Sequence, residues 1–115
     1  GEKISNTTAE DLKEKSRKLK NDGNYREAIR VGFISLLVKM NEKNILYLDE
    51  AKTNNEMIQT LKIGGFKYVE LFQKITYLFN EVWFGHKNIR ENEYNLWERN
   101  MEELWNEVLC IEIKK

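Results

Sequence analysis

Apolar residues recur at three- and four-residue steps along most of this chain, and that spacing predicts helices almost throughout. Proline is absent and glycine occurs only six times, so few positions interrupt the pattern. About five helices are expected. The first starts after Thr7 or Thr8, either of which can cap it, and carries Ala9, Leu12, Ser16 and Leu19 on one side before stopping near Asp22 and Gly23. The second starts at Asn24 or Tyr25. Its face of Tyr25, Ala28, Ile29, Gly32, Phe33, Leu36, Leu37 and Met40 is broad enough for the central helix of a core. Gly32 lies on that face. A mid-helix glycine costs up to ~1 kcal/mol against alanine, so a close approach of another helix or a bulky ring is expected there.

Ile45-Leu46-Tyr47-Leu48 is too short and too uniformly apolar to show a period, and Asn44 and Asp49 mark turns on either side. It is read as an extended connector, or one edge-like stretch, whose side chains cover the core. Thr53-Asn54-Asn55-Glu56 then fits a capping box, with the Thr53 hydroxyl accepting from the Glu56 amide and the Glu56 carboxylate reaching back to the Thr53 amide. A short third helix offers Met57, Ile58 and Leu61 and ends at Gly64-Gly65. A fourth runs from Phe66 through Val69, Phe72, Ile75, Phe79, Val82 and Trp83 to a stop at Gly85. His86 to Arg90 form a polar link, and the last helix carries Tyr94, Trp97, Met101, Leu104, Trp105 and Val108. The fold class is therefore all-α, a compact bundle with a helical hairpin in its first half.

Composition limits what such a bundle is. A chain of 115 residues, 41% hydrophobic and 11% aromatic, suits one domain over 1–115, burying roughly 65% of its unfolded surface. Basic and acidic residues number 19 each, which opposes the phosphate contacts that dominate nucleic-acid affinity. The apolar stretches fall far short of the ~20 residues that cross a bilayer, so neither a transmembrane helix nor a signal peptide is expected in this sequence. Cys110 is the single cysteine and His86 the single histidine. That excludes an intrachain disulfide and a Cys/His zinc site of about four ligands, and it fits a reducing compartment.

Charge is unevenly placed. Between Glu10 and Lys20 five basic residues stand against three acidic ones, a balance of +2, whereas between Glu91 and Glu107 six Glu stand against Arg99, a balance of −5. Both stretches read first as solvated helix faces that attract one another weakly. The alternative is that Lys13, Lys15, Arg17, Lys18 and Lys20 lie near an anionic membrane surface.

Three signatures stand in order: Gly23-Asn24-Tyr25-Arg26-Glu27-Ala28-Ile29-Arg30, then Thr53-Asn54-Asn55-Glu56, then Val82-Trp83-Phe84-Gly85. In that order and spacing, over roughly residues 19–94, the chain resembles bacterial domain of unknown function 4129, the protein-glutamine gamma-glutamyltransferase-like C-terminal domain of membrane-anchored transglutaminase-like proteins. In that family the last motif usually ends Trp-Tyr-Gly, and Phe84 departs from it by one hydroxyl. The resemblance implies a helical domain on the cytoplasmic side of the membrane, following a transmembrane helix outside this sequence, with the catalytic part in another domain or chain. Residues 1–8 then read as flexible or cloning-derived, Gly1 included.

None of the three signatures supplies a nucleophile with its base. Cys110 lies outside the matched region, in a different element from His86, and reads as a small packing residue, with His86 a surface linker residue. Paired carboxylates such as Glu102-Glu103 are the only material that an enzyme reading has, and adjacent helical positions point about 100° apart. Asn6-Thr7-Thr8 fits a glycosylation acceptor only by chance. The leading expectation is a non-enzymatic interaction or regulatory domain without metal or cofactor. A tetratricopeptide-like scaffold is the alternative, suggested by the turn at Gly23 but lacking a second copy near 34 residues on, and a small enzyme is a more distant one. Candidate partner-binding residues are Arg26, Arg30, Thr53, Asn54, Glu56, Trp83 and Phe84. The first five are read as a polar cluster between the second and third helices that first of all serves the structure; the sharper reading has Arg30, Asn54 and Glu56 lining a groove for a partner peptide or a neighbouring domain. Trp83, Phe84, Trp97 and Trp105 are weighed as an exposed patch against the simpler account of tryptophans as core residues.

Overall fold

Helix boundaries follow the caps. A computed structural model describes residues 8–111 and places five helices there: α1 (Ala9–Asn21), α2 (Tyr25–Glu42), α3 (Asn54–Ile63), α4 (Val69–Trp83) and α5 (Glu91–Leu109). The expectations attached to Gly1, Asn6 and Thr7 lie outside those residues. Thr8 is the cap of α1, its hydroxyl accepting from the Asp11 amide at 3.0 Å, and Asn24 caps α2 through the Glu27 amide at 3.4 Å. Thr53 caps α3 by accepting from the Glu56 amide at 3.2 Å. Its hydroxyl also donates to the Glu56 carboxylate at 3.3 Å, so the return contact of the box runs to the Thr53 hydroxyl rather than to its amide.

Three helices close by one device. The amides of Asn24, Ile45 and Phe66 reach back five residues to the carbonyls of Leu19, Met40 and Leu61, over left-handed Gly23, Asn44 and Gly65 (φ 79°, 59° and 73°). α4 ends differently. Phe84 and Gly85 both donate to the Asn80 carbonyl, Lys87 donates to the Glu81 carbonyl, and the left-handed residue is His86, at φ 54°. Gly85 is needed beside it because a Cβ there would stand 2.8 Å from the Glu81 carbonyl oxygen. His86→Gly is expected to raise stability by up to about 1 kcal/mol by removing a left-handed non-glycine residue; thermal melting of the pair measures it.

Two stretches depart from the sequence reading. Ile45 to Leu48 is a connector, a bend at Ile45 and Leu46 followed by irregular chain, and it is not an edge-like stretch, since no strand occurs among the described residues. With no neighbouring strand to receive their amides, Ile45 and Leu46 both donate to the Met40 carbonyl and Leu48 donates to Asn41 Oδ1. Ile45 and Leu46 do cover the core, while Tyr47 and Leu48 face solvent. The fourth helix starts at Val69 rather than Phe66. Phe66 and Tyr68 precede it as a turn, edge to face at 5.8 Å, and the Tyr68 hydroxyl is tied to Glu107 of α5 at 2.6 Å.

α2 is the central helix, packed by α1, α4 and α5, and α3 packs on α4 alone. Ala28, Ile29, Phe33, Leu36 and Met40 of α2 are buried, with Phe33 stacked on Phe79 at 4.4 Å and tilted against Phe72 at 6.1 Å. α1 adds Ala9, Leu12 and Ser16, and with α2 forms the expected hairpin. The Gly32 expectation holds: Ser16 Oγ and the Trp97 ring occupy the space a side chain would take.

Candidate functional site

The C-terminal end of α4 collects most of the candidate residues, and in a different arrangement from the one expected. The backbones of α2 and α3 do not approach one another and each packs on α4, while Arg26 bonds Trp83 of α4 and Arg30 bonds Glu27 of its own helix. On the α2 side the Arg26 guanidinium lies 4.1 Å from the Trp83 ring centre and donates to the Trp83 carbonyl at 3.3 Å. Arg30 stands 5.6 Å from the same ring and donates through Nε to Glu27 at 2.8 Å. A cation over an exposed indole contributes about 0.5–1 kcal/mol, so two of them hold the half-buried Trp83 in one orientation. On the α3 side Asn54 donates to Asn80 Oδ1 at 2.8 Å. Phe84, edge-on to Phe79 at 6.1 Å, is 68% exposed beside it.

Thr53, Asn54, Asn80 and Phe84 share the wall of a recess of about 340 Å³. Arg30 and Glu56 do not line it, and Glu56 is engaged by the cap of its own helix. The candidate set thus divides into a stacked group of Arg26, Arg30 and Trp83 and a recess group of Thr53, Asn54 and Phe84, joined through the adjacent Trp83 and Phe84. The other two tryptophans belong to the core. Trp97 and Trp105 are buried, and Trp97 Nε1 donates to the Ile75 carbonyl at 3.0 Å.

Opposite charge on α1 and α5 is used inside the domain. Lys13 pairs with Glu102 at 3.0 Å and Lys20 with Glu98 at 2.8 Å, and each ammonium also faces an aromatic ring of α5, Trp105 and Tyr94 respectively. Arg17 bonds Glu14 of its own helix and holds that carboxyl below its ordinary range. Lys15, Arg17 and Lys18 point outward. Lys39 sits deeper, between Glu10 and Glu42 at 2.8 Å each; burial alone would lower its pKa, and the two hydrogen bonds outweigh that and raise it.

Tyr94 is the most strongly shifted group. Burial pushes its phenol up to about 12, with the charge of Glu98 adding to the effect. The folded pKa exceeds the unfolded value of about 10, so the neutral ring's contribution is complete below pH 10 and is lost as pH rises toward 12. Urea titrations at pH 9 and pH 11.5 are expected to show a loss of about 2 kcal/mol that is absent in Tyr94→Phe.

Cys110 is exposed at the C-terminal cap of α5, correcting its reading as a packing residue. His86 is an exposed linker residue at the other end of that helix, so the two do not converge. Among the described residues no group of His, Cys, Asp and Glu is arranged to hold a metal ion, and no helix is long and apolar enough to cross a membrane.

One feature escaped the sequence reading. Between α4 and α5 runs a groove of about 660 Å³, with exposed Tyr77 and Leu96 on its walls and Leu78 and buried Trp97 in its floor. The signal for it was present: Tyr77 and Leu96 are large apolar residues that fall off the core stripes of these helices. No protein-family model matches this chain, and no curated protein or solved structure matches it either.

Proposed function

We propose that this chain is a non-enzymatic interaction domain of a bacterial membrane protein, on the cytoplasmic side, as its likeness to bacterial domain of unknown function 4129 implies. The observation that carries the interaction reading is Phe84, an aromatic ring left largely in solvent beside the Asn54–Asn80 recess and next to an indole fixed by two arginines. A segment crossing this corner buries Phe84 and meets guanidinium donors of Arg26 and Arg30 that suit a carboxylate. The partner is another domain of the same membrane protein or a separate protein carrying such a segment.

The test is a crosslinked pull-down from membranes and cytosol of the source cells, with the wild-type domain, Arg30→Ala and Phe84→Ala as baits. Each variant is expected to melt within about 1 kcal/mol of wild type, since both side chains are partly or largely exposed, and to lose one specific partner. A large loss of stability with the same partner retained would assign these residues to folding alone.

The outward residues of α1 give a second, weaker contact. Lys18, exposed on α1, contributes up to ~1 kcal/mol with anionic lipid, whereas Arg17 is engaged by Glu14 and Lys13 and Lys20 by α5. Sedimentation with anionic vesicles is expected to show binding at low salt that disappears at high salt. No binding in either condition removes the membrane contact and leaves the corner reading intact.

A further inference from the structure

We propose that the recess beside Phe84 receives an extended acidic segment of the partner, one that carries an apolar side chain with a carboxylate two residues to each side. This rests on the interaction reading above and names the chemistry of the segment that the corner takes. Asn54 donates to Asn80 Oδ1 at 2.8 Å, and that bond leaves the side-chain carbonyl of Asn54 and the amide nitrogen of Asn80 without a partner among the described residues. Both residues line the recess. No buried side-chain polar atom among the described residues lacks a partner, so both of these groups reach solvent. One acceptor and one donor are thus offered together to a guest. A helical guest has its own N–H and C=O groups already paired, whereas an extended one presents both to be met.

Charge in the wall itself selects the segment. Among the described residues Lys52 alone brings a charge to the lining of the recess, and it is exposed. On the other flank Arg26 bonds the Trp83 carbonyl, the peptide group that joins Trp83 to Phe84, so its guanidinium stands one residue from the exposed ring. Neither cation has a carboxylate within ion-pair distance among the described residues. The carboxylates of the same region are engaged elsewhere: Glu27 by Arg30, Glu56 by Thr53, Asp49 by the Ala51 amide and Glu81 by Lys87. Glu50 is exposed and does not line the recess. In an extended chain, side chains two residues apart share a face and lie roughly 7 Å from one another. An apolar side chain laid on Phe84 therefore turns carboxylates at the second position on either side toward Lys52 and Arg26. A basic segment meets two uncompensated cations instead.

The test uses three short labelled peptides with the centres Glu-Ser-Leu-Ser-Glu, Lys-Ser-Leu-Ser-Lys and Ser-Glu-Leu-Glu-Ser, the last moving the carboxylates to the opposite face. Fluorescence anisotropy at low salt is read against the wild-type chain, Phe84→Ala and Lys52→Glu, with thermal melting of each. The first peptide is expected to bind saturably at one per chain, about ten-fold more weakly to Phe84→Ala and about five-fold more weakly to Lys52→Glu. The other two are expected to bind wild type about five-fold more weakly than the first, and the basic one to bind Lys52→Glu more tightly than wild type. Melting is expected to stay near that of wild type, since both replaced side chains are exposed. Equal binding of the acidic and basic peptides to wild type would show an apolar contact without charge selection and overturn the proposal, while the corner reading stands. Equal binding of the two acidic peptides would show that no extended register is read and overturn it as well. Failure of the first peptide to bind, while Phe84→Ala still loses a partner in the pull-down, would overturn this proposal alone; retention of every partner by Phe84→Ala would remove the corner reading with it.

Discussion

Replacing Trp97 with alanine is expected to destabilise the domain by about 3–5 kcal/mol, the range for removing a buried aromatic side chain and leaving its cavity. The indole is 3% exposed and touches three parts of the fold at once. It fills the space over Gly32 of α2, lies 5.9 Å from the Tyr94 ring, and donates from Nε1 to the Ile75 carbonyl of α4 at 3.0 Å. Gly32 has no side chain to fill any of that volume. Domains of this size are stable by only about 5–15 kcal/mol, so the loss is a large fraction of the total. The urea midpoint is expected to fall by roughly 2 M with little change in slope. Trp97→Phe separates the contributions: it keeps most of the volume and loses the hydrogen bond, which costs about 1–2 kcal/mol. Equal effects of the two substitutions would show that the hydrogen bond, and not the packing, holds the three helices together.

Gly32→Val is expected to cost about 1–3 kcal/mol even though glycine is the poorer helix former. A Cβ at that position stands 2.9 Å from Ser16 Oγ and 3.1 Å from the nearest carbon of the Trp97 ring. Neither neighbour gives easily. Ser16 Oγ is tied to the Ala28 carbonyl at 2.6 Å, and the indole is fixed by its bond to Ile75. The valine therefore forces α1 or α5 away from α2. Ser16→Ala removes one of the two obstacles, so Gly32→Val is expected to cost less in that background, with a coupling of at least about 0.5 kcal/mol. Thermal unfolding of the four proteins of this cycle, at about 4 °C per kcal/mol, reads the effect directly. Additivity would place the clash on Trp97 alone.

The candidate site was legible in its parts and not in its assembly. Thr53, with Glu56 three positions on, announces a cap, and the cap is present. Trp83 and Phe84 announce an aromatic corner, and Phe84 is exposed there. The partners were beyond reach of the pattern: Arg26 stacks on Trp83 57 positions away, and Asn54 bonds Asn80 26 positions away. Helical spacing says which residues share a face and nothing about which face meets which, so the sequence could not show that Arg30 turns to Glu27 and Glu56 to Thr53, each within its own helix, rather than to one shared groove. The basic and acidic helices show the same division. Their opposite charges were plain in the composition; that Lys13 and Lys20 turn inward to α5 while Lys15, Arg17 and Lys18 turn outward follows from the roll of α1, set by burial of Leu12 and Ser16.

What the sequence determined by itself is local. Apolar recurrence, the caps Thr8, Asn24 and Thr53, and the stops at Gly23, Asn44 and Gly65 are satisfied by backbone groups within a few residues, so five helices follow from neighbours in the chain. What only the tertiary structure decided depends on how helices dock. α3 and α2 each pack on α4, and His86 rather than Gly85 takes the left-handed turn. Most consequentially, Trp97 fills the space between α4 and α5 from below and leaves Tyr77 and Leu96 facing a groove. A side chain's burial is set by the volume that opposes it, and for residues on different helices that volume comes from packing geometry that no periodicity along one helix encodes.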